Sequence, residues 1–85
     1  MKIQLRFFAS VREALGVSQE SLDIPDSVNT VGAVRVLLRE RGGVWAEALG
    51  ENRSLRMAYD QQMTDADTQV KDGGEVAFFP PVTGG

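Results

Sequence analysis

Only one stretch of this chain repeats its apolar residues at helical spacing for more than two turns. Val31, Val34, Leu37 and Leu38 share a stripe that runs on to Arg41, and Gly42-Gly43 stops it. Thr30 stands where an N-cap is needed. Most of the remaining chain alternates with period two. Lys2 to Phe8 predicts a strand with Ile3, Leu5 and Phe7 on one face and Lys2, Gln4, Arg6 and Phe8 on the other. Ser18 to Ile24 predicts a second strand, with Leu22 and Ile24 inward and Pro25 ending it. Leu55 to Tyr59, a weak Gln61 to Thr64, and Glu75 to Phe79 complete the set, the last preceded by a turn at Asp72-Gly73-Gly74. Between the first two strands, Ser10-Val11-Arg12-Glu13 fits a capping box opening a short helix. Val11, Ala14 and Leu15 would be its inner face, and Gly16 would close it in a left-handed conformation. Val44 to Leu49 predicts a further helical turn around Trp45, a packing residue.

The order is strand, short helix, strand, long helix, then three strands. A ubiquitin-like β-grasp of the α+β class satisfies it: a five-stranded mixed sheet curled around one long helix. We expect residues 1–81 to form this domain and residues 82–85 a flexible C-terminal tail. With 85 residues the core is thin, and no cysteine is present to staple it. Histidine is absent too, which removes the usual general base and the commonest zinc ligand. Asp65 and Asp67 resemble the start of a calcium loop, but no glycine or closing glutamate follows at the required offsets. No metal site is expected. A self-contained enzyme is improbable with so little equipment.

Nine basic against 12 acidic residues give a net charge of −3, so nucleic acid is not an expected partner. The apolar runs fall far short of the ~20 residues needed to span a bilayer, and Met1 to Arg6 lacks the continuous apolar stretch of a secretory signal. The expectation is a cytoplasmic chain with no membrane contact. Arg35, Arg39 and Arg41 read as a solvated helix face.

The remaining chemistry lies in Pro80-Pro81-Val82-Thr83-Gly84-Gly85. By itself, Gly-Gly reads as a frayed end. Here it follows a short tail on a terminal strand, in a domain with no side-chain nucleophile of the usual kinds. Gly84 and Gly85 lack a Cβ, so their backbone can thread a channel too narrow for other residues. Pro80-Pro81 stiffens the exit from the sheet, and the four residues beyond reach roughly 13–14 Å when extended. The α-carboxylate is ionised at neutral pH and is a poor acyl electrophile. Coupling it to AMP creates a leaving group, and sulfur can then enter as a thiocarboxylate. The chain has no phosphate-binding glycine loop, so ATP must be handled by a partner. Without cysteine it cannot carry a persulfide; any sulfur it carries sits on Gly85.

Phe7-Phe8-Ala9 with Val11-Arg12-Glu13, Trp45 with Ala48-Leu49, and Asp72 through Gly85 (DGGEVAFFPPVTGG) closely resemble the molybdopterin synthase small-subunit family. The resemblance spans nearly the whole chain and is most specific over Glu75 to Gly85. It implies a ubiquitin-like sulfur carrier that binds no cofactor. Its terminal glycine is adenylated by an ATP-dependent activating enzyme and then thiocarboxylated. The tail, Pro80 to Gly85, enters the large synthase subunit and supplies sulfur to convert cyclic pyranopterin monophosphate to molybdopterin. The implied assembly is two small subunits on a large-subunit dimer, with the catalytic side chains on the large subunit. The family's apolar docking surface maps onto Phe8, Met63 and Phe79, and Arg12 becomes a candidate partner contact. Alternation agrees for Phe8, and of the adjacent Phe78 and Phe79 only one can fill the core; core and interface both stay open for these residues on pattern alone. Asp60 stands where many relatives carry asparagine, which puts the turn's hydrogen bonding in question. The alternatives are a carrier for thiamine or tRNA thiolation, a ubiquitin-like protein modifier, and an interaction domain with an inert tail.

Overall fold

Ile3, Leu5 and Phe7 lose essentially all contact with solvent, while Lys2 and Gln4 between them stay exposed. That alternation makes Lys2–Phe7 (β1) a strand with one buried face. A computed structural model describes residues 1–81 of the chain. After β1 come α1 (Ala9–Leu15), β2 (Gln19–Asp23), α2 (Val31–Arg39), α3 (Gly43–Ala48), β3 (Arg56–Tyr59), β4 (Gln62–Thr64) and β5 (Glu75–Phe79). Among the described residues the sheet has five strands in the order β2-β1-β5-β3-β4. β1 and β5, the first and last strands, pair in parallel at its centre; the other pairings are antiparallel. This is the ubiquitin-like β-grasp topology, as the element order predicts.

The inner sheet face presents Ile3, Leu5, Phe7, Val76 and Phe78. Against it lie Val11 and Leu15 of α1, Val31, Val34 and Leu38 of α2, and Leu49 after α3. Phe7 stacks on Phe78 with centroids 6.2 Å apart and meets Trp45 edge-on at 5.6 Å. Thr30 caps α2 as expected, its Oγ1 accepting from the Ala33 amide at 3.1 Å. Gly16 closes α1 with φ of 77°. Among the described residues no helix is long and apolar enough to cross a membrane.

Several local expectations are corrected. The long helix is only nine residues and ends before Arg41, so three short helices share the task of covering the sheet. The capping box does not form. The chain turns from β1 into α1 through Ala9, at φ of 51°, so the helix starts before Ser10 and Phe8 takes the N-cap position with no side-chain bond. Ala14 faces outward, leaving Val11 and Leu15 as the buried pair. Arg35 is not a solvated charge. Its Nε donates to the Leu49 carbonyl at 2.9 Å and its Nη2 to the Gly50 and Arg53 carbonyls at 2.6 and 3.0 Å, closing the C-terminal end of α3. Its burial there pulls the guanidinium pKa below the usual value. Arg41 makes a two-pronged pair with Glu20 of β2 and lies 4.4 Å from the Trp45 ring centroid.

Candidate functional site: the outer sheet face and the tail exit

The pairing registers decide which residues share the face left uncovered by helices. In one row across the sheet stand Arg6, Ala77, Ala58 and Met63. In the next, Phe79 opposes Arg56, with Phe8 alongside as β1 ends. Phe8 is 40% exposed, while its neighbour Phe7 is buried. Phe78 fills the core and Phe79 faces out, which settles the choice alternation left open. Phe8 and Phe79 meet edge-to-face at 6.3 Å, and the Arg6 guanidinium lies 5.5 Å from the Phe8 centroid.

Ala58 and Ala77 are small, so the sheet dips between their larger neighbours. The result is an open concavity of about 570 Å³. The two alanines form its floor, Phe8 and Phe79 line it, Gln61 and Glu75 give it a polar side, and Pro80-Pro81 stand at its rim. The same two prolines border a second concavity, of about 620 Å³, between α1 and α3. It is lined by Val11, Ala14, Val44, Ala48 and Leu55 with polar groups from Ser10 and Asn52. The chain therefore leaves the sheet along a ridge with an apolar hollow on either side.

The polar end of the first concavity is fixed by the β3–β4 turn. Asp60 and Gln61 both have positive φ, at 48° and 68°. Such a two-residue hairpin favours asparagine, aspartate and glycine, which explains why the fourth strand starts only at Gln62. Asp60 Oδ1 accepts from the Glu75 amide at 2.9 Å, and the Asp60 amide donates back to the Glu75 carbonyl at 2.9 Å. The turn needs an acceptor here, so aspartate serves. Behind it, the Tyr59 ring lies on Gly74, where any Cβ would overlap it, and the Tyr59 hydroxyl accepts from the Lys71 amide at 2.8 Å.

Of the residues singled out in the sequence, Phe8, Phe79, Pro80 and Pro81 come together. Met63 shares the outer face and is 64% exposed, but it sits on the edge strand beyond Ala58, outside the concavity. Arg12 lies on α1 and lines neither hollow. Val82, Thr83, Gly84 and Gly85 lie outside the described residues. The floor alanines, Gln61 and Glu75 escaped sequence reasoning; Ala77 alternates with Phe79, but only the register reveals Ala58 beside it. Among the described residues no cluster of acidic side chains is placed to hold a metal ion.

Residues 5–85 match the model of the ThiS family. The chain belongs to that family. Two relatives are the molybdopterin synthase sulfur carrier subunits of Haemophilus influenzae and Escherichia coli. They are 42% and 41% identical to this chain, over 98% of its length and 99% of theirs. Among solved structures, the complex of subunits 1 and 2 of molybdopterin-converting factor from Helicobacter pylori contains a chain that superposes with a TM-score of 0.68 at 26% identity, covering all of both chains. As a ThiS-family member the chain keeps the alignment to residue 85, so the match includes the glycine pair.

Proposed function

We propose that this chain is the small, sulfur-carrying subunit of a molybdopterin synthase, working in the cytoplasm. The end-to-end identity of 41–42% with carrier subunits of that enzyme carries the reading. Residues 82–85 act as a tail that enters the large subunit's active site, while residues 1–81 act as the handle both partners grip. The Gly85 carboxylate attacks the α-phosphorus of ATP in an activating enzyme, releasing pyrophosphate and forming an acyl adenylate. Hydrosulfide displaces AMP and leaves a thiocarboxylate. Within the synthase that sulfur bonds to cyclic pyranopterin monophosphate, and water cleaves the remaining acyl–sulfur bond, returning the tail as carboxylate.

The outer face supports this division of labour. Its exposed aromatic pair adjoins the exit prolines, so a partner seated on Phe8 and Phe79 would meet the chain where it leaves the sheet. Met63 would extend the contact toward the edge strand and Arg12 would meet a partner from the α1 side. Assembly is two carriers on a large-subunit dimer.

Intact-mass spectrometry tests the proposal. Incubation with activating enzyme, ATP and a sulfur donor should replace one oxygen by sulfur at Gly85. The product, mixed with the large subunit and cyclic pyranopterin monophosphate, should yield molybdopterin. An unchanged mass under conditions that convert the Escherichia coli carrier would overturn the reading. Conversion without molybdopterin formation would move the chain to another thiolation pathway.

A further inference from the structure

Two cations on the outer face flank the aromatic pair and are not used by the carrier chemistry; a third, Lys2, lies at the far end of β1 opposite Asp23. Arg6 and Arg56 stand on either side of the Phe8–Phe79 pair, one on β1 and one on β3. In a chain of net charge −3, neither has a carboxylate within ion-pair distance among the described residues. Glu75, the nearest acidic position on that face, is one row away from Arg6, beside Gln4.

The two arginines are held differently. Arg6 is half-buried; its Nε is shielded from solvent without an acceptor, and its guanidinium lies over the Phe8 ring. A guanidinium packed over an aromatic face, with its Nε shielded, has already lost part of its rotamer freedom. Its terminal nitrogens are preorganised for a planar, two-pronged acceptor. Arg56 is exposed opposite Phe79 and makes no ion pair among the described residues.

We propose that this face selects a partner surface with an apolar centre that seats on Phe8 and Phe79, a carboxylate opposite Arg6, and a further acidic position facing Arg56. The inference rests on the proposed docking of the large synthase subunit and specifies the chemistry of that surface. A basic or neutral surface of the same shape would leave the Arg6 charge desolvated and unpaired, so the arginine discriminates as well as attracts.

The test is the association of the full-length chain with the large synthase subunit of the same genome, followed in real time over a salt series. Arg6→Gln should weaken binding about tenfold and flatten its salt dependence. Arg56→Gln should slow association about two- to threefold and leave dissociation unchanged. Arg6→Lys should keep the salt dependence but recover only part of the affinity, because an ammonium cannot make the planar contact. Thermal melts of each variant confirm folding. If Arg6→Gln binds with wild-type rates and salt slope, or binds more tightly, the acidic-partner inference is wrong while the docking face stands. If the wild-type chain does not bind, or Phe8→Ala binds unchanged, the docking reading fails and the inference falls with it.

Discussion

Replacing Phe8 by alanine should separate binding from folding. A phenylalanine side chain offers roughly 200 Å² of surface, and Phe8 leaves 40% of its own exposed, so a partner seated on it would cover about 80 Å² more. At about 25 cal/mol per Å² that is about 2 kcal/mol, or roughly a 30-fold loss of affinity on truncation. The folded chain itself gives up the roughly 120 Å² of Phe8 already covered, the edge-to-face contact with Phe79 and the Arg6 stacking among it, at most about 3 kcal/mol on the same scale. Phe7→Ala is the comparison. Phe7 is buried between Phe78 and Trp45, and its loss should cost about 3–5 kcal/mol, a large fraction of the stability of so small a domain. Isothermal titration with the large subunit and urea unfolding of both variants measure the two effects. A Phe8→Ala chain that binds with wild-type affinity would refute the docking argument. One that loses as much stability as Phe7→Ala would show that Phe8 belongs to the core.

Glu20→Gln should remove a pH-dependent part of the stability. The hydrogen bond from Arg41, aided by its charge, holds the Glu20 pKa below the usual carboxylate value despite some opposing desolvation. The pair therefore stabilises the fold fully above the ordinary carboxylate pKa and fades as pH falls through the lowered one. The pair is partly exposed, so about 1 kcal/mol or less is at stake; urea midpoints at neutral and acid pH should converge for wild type and variant, and a constant gap would exclude the linkage. Gly74→Ala should destabilise by about 1–3 kcal/mol, because the new methyl meets the Tyr59 ring. An unchanged melting temperature would mean that the ring moves aside freely.

Much of the fold was legible because its signals are local. The alternation of β1, the Thr30 cap, the left-handed Gly16 and the turn at Asp72-Gly73-Gly74 each follow from a few adjacent residues. The misreadings share a different cause. Ser10 and Glu13 had the right spacing for a cap, but the tight passage from β1 through Ala9 set the helix start. Arg35 and Arg41 looked solvated because their partners, at Leu49, Gly50 and Glu20, are more than a dozen positions away. At the site, the aromatic pair could be anticipated from Phe7-Phe8 and Phe78-Phe79, since adjacent residues must face opposite ways. The alanine floor and the displacement of Met63 depend on strand order and register, which no short window encodes.

β5 is the last strand made and lies between β1 and β3. Until β5 has been made and paired, the middle of the sheet is missing and Phe79 has no place beside Phe8. A chain cut before β5 therefore lacks both the paired aromatic patch and the exit prolines beside it. The topology thus sets an order of events: the outer aromatic patch assembles only once the strand that leads into Pro80-Pro81 has been synthesised.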